Sequence, residues 1–162
     1  MKYALLTNDV ETTSIWFNDL RIATGEKVVR EGMPLLLDLY RKYGIKSTFY
    51  FTAYIACLYP EVVKMILADG HEVGSHGKSH IKENGFDIMP FPKQKEHLDY
   101  SKKLLEDISG EEVISFRAPA LRVSPLTARA LIETGFKTDS SIASQRFDFF
   151  LSFGSKQKMN FI

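Results

Sequence analysis

At 162 residues, with 44% hydrophobic and 25% charged residues, the chain suits one soluble domain with a sizeable core rather than two. A net charge of +1 provides no general attraction to nucleic acid or to a membrane surface. A single cysteine, Cys57, excludes an internal disulfide framework and a cysteine-based zinc site.

The N-terminal stretch "MKYALLTNDVETT" reaches acidic residues too early to leave a signal-peptide apolar region. No later apolar run is long enough for a membrane span, so a cytoplasmic location is expected. "KYALLT" is a short apolar run that reads as a buried strand. "EKVVREGMPLLLDLYRKYG" carries helical periodicity, with Pro34 marking a first turn or kink and Gly44 a C-terminal stop. "KSTFYFT", rich in β-branched and aromatic residues, reads as the second strand. Cys57 lies in the apolar run "AYIACLY" and is expected to be a small buried hydrophobe.

"PEVVKMILADG" is a helix from Pro60 to a stop at Gly70, and "HEVGSH" is a short third strand running into a loop. "PKQKEHLDYSKKLLEDISG" is a longer helix, again with proline first and glycine last. "EVISFRAP" is a fourth strand cut off by Pro119. "SPLTARALIETG" opens with a Ser124 cap and Pro125 at the first helical position, and "FKTDSS" is a fifth strand. The aromatic closing segment "RFDFFLSFGSKQKMNFI" reads as a sixth strand or an unpaired end, and its composition points to self-association into a homo-oligomer. Five alternations of strand and helix imply an α/β fold with a parallel sheet, a barrel being one form of it.

In such folds, ligands and catalytic groups gather at the carboxyl ends of the strands. Asp9 and Glu11 follow the first strand, His76 and His80 the third, Arg117 the fourth, and Asp139, Ser140 and Ser141 the fifth. Two histidines four apart can present two nitrogens to one ion, although plain surface residues also occur at that spacing. Gly77 between them lets a tight loop approach closely. Asp9 and Glu11, one residue apart in extended backbone, point the same way. Either carboxylate can complete a set of two histidines and one carboxylate, leaving the other as a general base for water. Both could instead cap a loop. Arg117 either orients a carboxylate, Asp9 being the candidate, or forms an ordinary structural ion pair. His71, at the start of its strand, reads as structural, and His97, in a charged helix, as solvent-exposed.

At these residues the chain resembles the polysaccharide deacetylases, the NodB-homology or carbohydrate esterase 4 family. "LLTNDVE" is similar to a variant of the family's first motif, with Asp-x-Glu where most members have adjacent aspartates. "HEVGSHGKSH" resembles its His-x-x-x-His metal motif, "SFRAPA" its third motif and "GFKTDSS" its fourth. The resemblance implies a distorted, incomplete (β/α) barrel of the NodB-homology type, lacking its last strands, in a single domain over residues 1–162 that ends early. It implies Asp9 as catalytic base, Arg117 tethered to it, Glu11, His76 and His80 as metal ligands, and Asp139 with Ser140 bordering the substrate groove. Val10 stands where the metal-binding aspartate usually sits, so the division of roles between Asp9 and Glu11 departs from the common pattern.

The implied activity is metal-dependent removal of an N-acetyl group from a sugar, with zinc first among divalent transition metals and iron, cobalt or nickel also suited. A small carbohydrate or sugar-nucleotide precursor of a cell-surface polysaccharide is the implied substrate. The family's late general-acid histidine has no counterpart, since only His97 follows His80. Two alternatives therefore stand beside the deacetylase: a non-catalytic glycan-binding domain, and a related amidase on a non-sugar substrate.

Overall fold

The computed structural model describes residues 4–11 and 21–142. Five strands, β1 (Thr7–Val10), β2 (Thr48–Phe51), β3 (Glu72–Ser75), β4 (Ser115–Phe116) and β5 (Thr138–Asp139), form one sheet in sequential order. Every neighbouring pair is parallel, so each connection must cross back along the sheet. The crossovers carry α1 (Ile22–Lys27) and α2 (Met33–Tyr43), then α3 (Ala53–Leu58) and α4 (Pro60–Ala68), then α5 (Phe91–Ser109), then α6 (Thr127–Glu133). This is the α/β fold that the alternation predicts.

Period-two alternation divides the sheet into two unlike faces. Val10, Phe49, Phe51, Val73 and Phe116 are buried in one core with Leu37 of α2, Ile55 of α3, Ile66 of α4 and Leu98 and Leu105 of α5. Complete burial of each large side chain stabilises the fold by roughly 1.5–3 kcal/mol. The opposite face is polar. The register aligns Thr7, Thr48 and Glu72 in one row and Asp9, Tyr50 and Gly74 in the row above. Glu72 accepts hydrogen bonds from Thr48 and Ser115, and Thr138 Oγ1 donates to Ser115 Oγ at 2.8 Å.

Helix punctuation follows the sequence closely. Gly44 and Gly110 end α2 and α5 in the left-handed conformation, and prolines stand in the first turns of α2, α4 and α5. Before Pro34 the chain forms a π-helical segment, Val28–Gly32, which accounts for the irregularity expected there.

Several expectations are corrected. β1 begins at Thr7 rather than Lys2, and Leu5 is 93% exposed, because only Thr7–Val10 register against β2. Asp9 therefore lies within the strand, and Glu11 directly after it. Cys57 is exposed: α3 buries Ala53, Ile55 and Ala56, and Cys57 falls on its other side. α6 starts at Thr127, two residues after Pro125, since the Ser124 N–H donates to Thr127 Oγ1 and a turn intervenes. His97 is buried, on the α5 stripe that also buries Gln94, Leu98, Ser101 and Leu105. The aromatic closing segment lies outside the described residues. Among those described, no helix is long and apolar enough to cross a membrane.

His71 is structural, as expected. Its ring sits against Tyr40 and Phe49, and its Nδ1 accepts from the Ser47 N–H at 3.2 Å. Burial pushes both His71 and His97 below the ordinary imidazole value of 6.5, assisted by the charges of Lys46 and of Lys78 and Lys93 respectively. A depressed folded-state value means that the unfolded chain binds protons more readily. Stability present above about pH 6.5 is then lost as the pH falls. Urea unfolding should show a falling midpoint between about pH 7.5 and 5.5, with a shallower fall in His97→Leu. An equal fall in that variant would contradict the assignment to His97.

Candidate active site

The site forms where four strand ends meet on the polar face. The ladder continues one residue past each strand: Thr52 N–H donates to Val10, His76 N–H to Phe51, Arg117 N–H to Ser75 and Ser140 N–H to Phe116. These bonds set Glu11, Thr52, His76, Arg117 and Ser140 in one row across the sheet. The histidine loop is then fixed by the N-terminus of α3, whose first amides have no partners within the helix. Ala53 N–H donates to the Gly77 carbonyl at 2.9 Å and Tyr54 N–H to the Lys78 carbonyl at 3.1 Å. The loop is not a helical turn. Gly77 takes φ +69°, where a side chain would be strained, and this bend brings His80 back towards His76.

Three ligand atoms converge. Glu11 Oε2 lies 2.6 Å from His80 Nε2 and 3.3 Å from His76 Nε2, and the two imidazole nitrogens are 3.1 Å apart. His76 is almost wholly buried, and its Nδ1 lies 2.8 Å from the Arg117 carbonyl oxygen. A carbonyl only accepts, so Nδ1 carries the proton and Nε2 turns its lone pair towards Glu11 and His80. A carboxylate and two imidazole nitrogens at this range can share either a proton or a metal cation. Glu11, His76 and His80 are the residues that could hold a metal ion, and two imidazoles with one carboxylate suit a divalent transition metal. Burial alone would raise the Glu11 carboxyl, but when no cation is held and the two imidazoles are protonated instead, hydrogen bonds from His76 and His80 and their charge overcome it. The net result is a fall from 4.5 to about 2.

A second cluster adjoins the first. Arg117 Nη1 donates to Asp9 Oδ1 at 2.8 Å, and Nη2 donates to Thr7 Oγ1 at 2.8 Å and to Ser140 Oγ at 2.7 Å. The other Asp9 oxygen, Oδ2, lies 3.9 Å from His76 Nε2. Asp9 and Glu11 thus share a face but differ in partners: guanidinium for one, imidazoles for the other. Ser140 joins the Arg117 cradle. Asp139 does not, because strand alternation turns it away and its Oδ1 accepts from the Ser141 N–H at 2.9 Å. Ser141 Oγ accepts from the Ala118 N–H at 2.8 Å, tying the loop after β4 to the end of β5.

Sequence reasoning missed Thr7 and Tyr50. The available signal for each was its place two residues before Asp9 or Thr52 on the polar face. That signal needs the strand register, which the sequence does not print.

Comparison with known proteins finds relatives of this chain. Residues 7–138 match the family model described as polysaccharide deacetylase. A peptidoglycan deacetylase of Helicobacter pylori is 34% identical over 116 residues, covering 72% of this chain and 39% of that protein. A peptidoglycan-N-acetylglucosamine deacetylase of Bacillus cereus is 29% identical over 106 residues, covering 65% and 47%. The chain therefore spans less than half the length of either relative. A carbohydrate esterase 4 pseudoenzyme from Bacillus anthracis superposes with a TM-score of 0.63 at 16% identity, over 83% of this chain and 42% of that one, a likeness of fold.

His76→Ala removes the most buried of the three donors. Zinc titration by calorimetry should show affinity at least about 100-fold weaker than in the unaltered chain. Equal affinity would exclude His76 as a ligand.

Proposed function

Because this chain belongs to the polysaccharide deacetylase family, we propose that it hydrolyses the N-acetyl amide of an amino sugar, and that its substrate is an N-acetylglucosamine-containing cell-wall glycan or a precursor of one. The names of the two relatives support the substrate class. The observation that carries the reading is the pairing of an arginine-held aspartate with a carboxylate and two imidazoles converging beside it.

Glu11, His76 and His80 are the proposed ligands of one divalent transition metal, zinc foremost, which when bound supplies a Lewis acid for the acyl oxygen and lowers the pKa of water. Glu11 Oε2 is engaged by both imidazoles, at 2.6 Å from His80 and 3.3 Å from His76, and is a poor proton acceptor for water. Asp9 is the proposed base. Arg117 fixes its Oδ1, leaving Oδ2 towards His76 to take a proton from the attacking water. That attack forms the new C–O bond. Collapse of the tetrahedral carbon then breaks the C–N bond and releases acetate. The departing amine needs a proton, and His71 and His97 are both held in the core. Among the described residues, protonated Asp9 is placed to return the proton that it took, leaving the carboxylate ready for another cycle. Ser140 and Thr7 act through Arg117, holding its second nitrogen.

Asp9→Asn should lower acetate release from N-acetylglucosamine oligomers by at least about 100-fold while zinc content stays unchanged. Loss of zinc in this variant would make Asp9 a ligand and contradict the division of roles. Release from a sugar nucleotide, but not from oligomers, would move the substrate to the precursor. Failure of the unaltered chain to release acetate from either would overturn the deacetylase reading.

A further inference from the structure

Tyr50 lies in the middle of β2, is 5% exposed, and stands in register between Asp9 of β1 and Gly74 of β3. Its ring occupies the space that a side chain on Gly74 would take. A Cβ at Gly74 would lie 2.7 Å from both Cδ1 and Cε1 of the ring. The Arg117 guanidinium carbon lies over the same ring, 4.4 Å from its centroid. The aromatic ring thus meets both the β3 backbone at Gly74 and the guanidinium.

This placement bears on Asp9. Arg117 reaches down from the row above to Asp9 Oδ1 and Thr7 Oγ1, and its Nε finds no hydrogen-bond partner among the described residues. Hydrogen bonds at the two Nη atoms aim the fork, and a further constraint comes from what backs its plane. An aromatic face against a guanidinium supplies that constraint, through quadrupole attraction and simple exclusion of volume.

We propose that Tyr50 is a positioning residue for the reaction: its ring is the platform that sets the plane of Arg117 and, through it, the orientation of the Asp9 carboxylate. Gly74 is the complementary requirement, the missing side chain that makes room for the ring. The proposed contribution is the ring face against the guanidinium; the phenol, which meets Ser140, is the lesser part. The claim rests on the deacetylase reading for its kinetic expression, but the geometric claim stands apart from it.

The test compares acetate release from N-acetylglucosamine oligomers by the full chain and three variants, each with zinc content measured. Tyr50→Leu should lower kcat by about 10-fold with KM within about 3-fold, as expected when a held geometry is loosened. Tyr50→Phe keeps the ring face and should stay within about 3-fold of the unaltered kcat. Gly74→Ala, by displacing the ring, should reproduce the loss seen in Tyr50→Leu. An unaltered kcat in Tyr50→Leu, or equal losses in the Phe and Leu variants, would overturn the proposal. A crystal structure of Tyr50→Leu separates this outcome from failure of the deacetylase reading. The Arg117 Nη1 to Asp9 Oδ1 distance of 2.8 Å should open beyond about 3.5 Å. If the unaltered chain releases no acetate, the functional reading fails, and this distance alone decides the role of Tyr50. A contact kept at its original length would overturn that role.

Discussion

Arg117 joins the two halves of the site through two different parts of one residue. Its carbonyl oxygen lies 2.8 Å from His76 Nδ1 and so decides which nitrogen of that ring carries the lone pair. Its guanidinium, 2.8 Å from Asp9 Oδ1, leaves the other carboxylate oxygen facing the imidazoles. A shift of β4 by one residue would turn the side chain to the apolar face and break both arrangements together. The geometry of the Glu11–His76–His80 cluster and of Asp9 therefore depends on the same short strand, held to β3 through the Ser75–Phe116 pairing and the Arg117 N–H bond to Ser75.

Much of the architecture was readable because proline and glycine punctuate it. Gly44 and Gly110 end helices by taking positive φ, and Pro60 and Pro92 occupy first turns, so α2, α4 and α5 could be placed from sequence. β1 was misplaced for an understandable reason: Ala4, Leu5 and Leu6 are apolar, but pairing with β2 defines the strand, and that pairing starts at Thr7. His97 shows the opposite error. Lys93, Lys95 and Glu96 give its neighbourhood a solvated character, yet Gln94, His97, Leu98, Ser101 and Leu105 follow helical spacing and form the buried stripe. Local composition suggested exposure, and helical phase determined burial.

The candidate site divides in the same way. His76, His80, Asp9, Glu11 and Arg117 could be nominated because they cluster at strand ends, and the fold brings all five together. Their partners could not be nominated, because contact with Arg117 depends on which residues the sheet register aligns. Tyr50 carries no motif, Thr7 was not singled out within the first one, and Ser140 and Asp139, adjacent in sequence, separate onto opposite faces. The loop between the histidines also relies on α3, a short helix hidden within an apolar run. Its N-terminal amides hold the Gly77 and Lys78 carbonyls. The polar network below the site, from Thr48 through Glu72 to Ser115 and Thr138, likewise exists only once the strands are aligned.

The central claim is that Glu11, His76 and His80 converge on one cation. X-ray absorption of the chain loaded with one equivalent of zinc tests it most directly, because imidazole rings add characteristic outer-shell scattering. The account predicts a first shell of nitrogen and oxygen at about 2.0 Å, two imidazoles per zinc, and no sulfur. A shell without imidazole, one containing the Cys57 sulfur, or no retained zinc would contradict it.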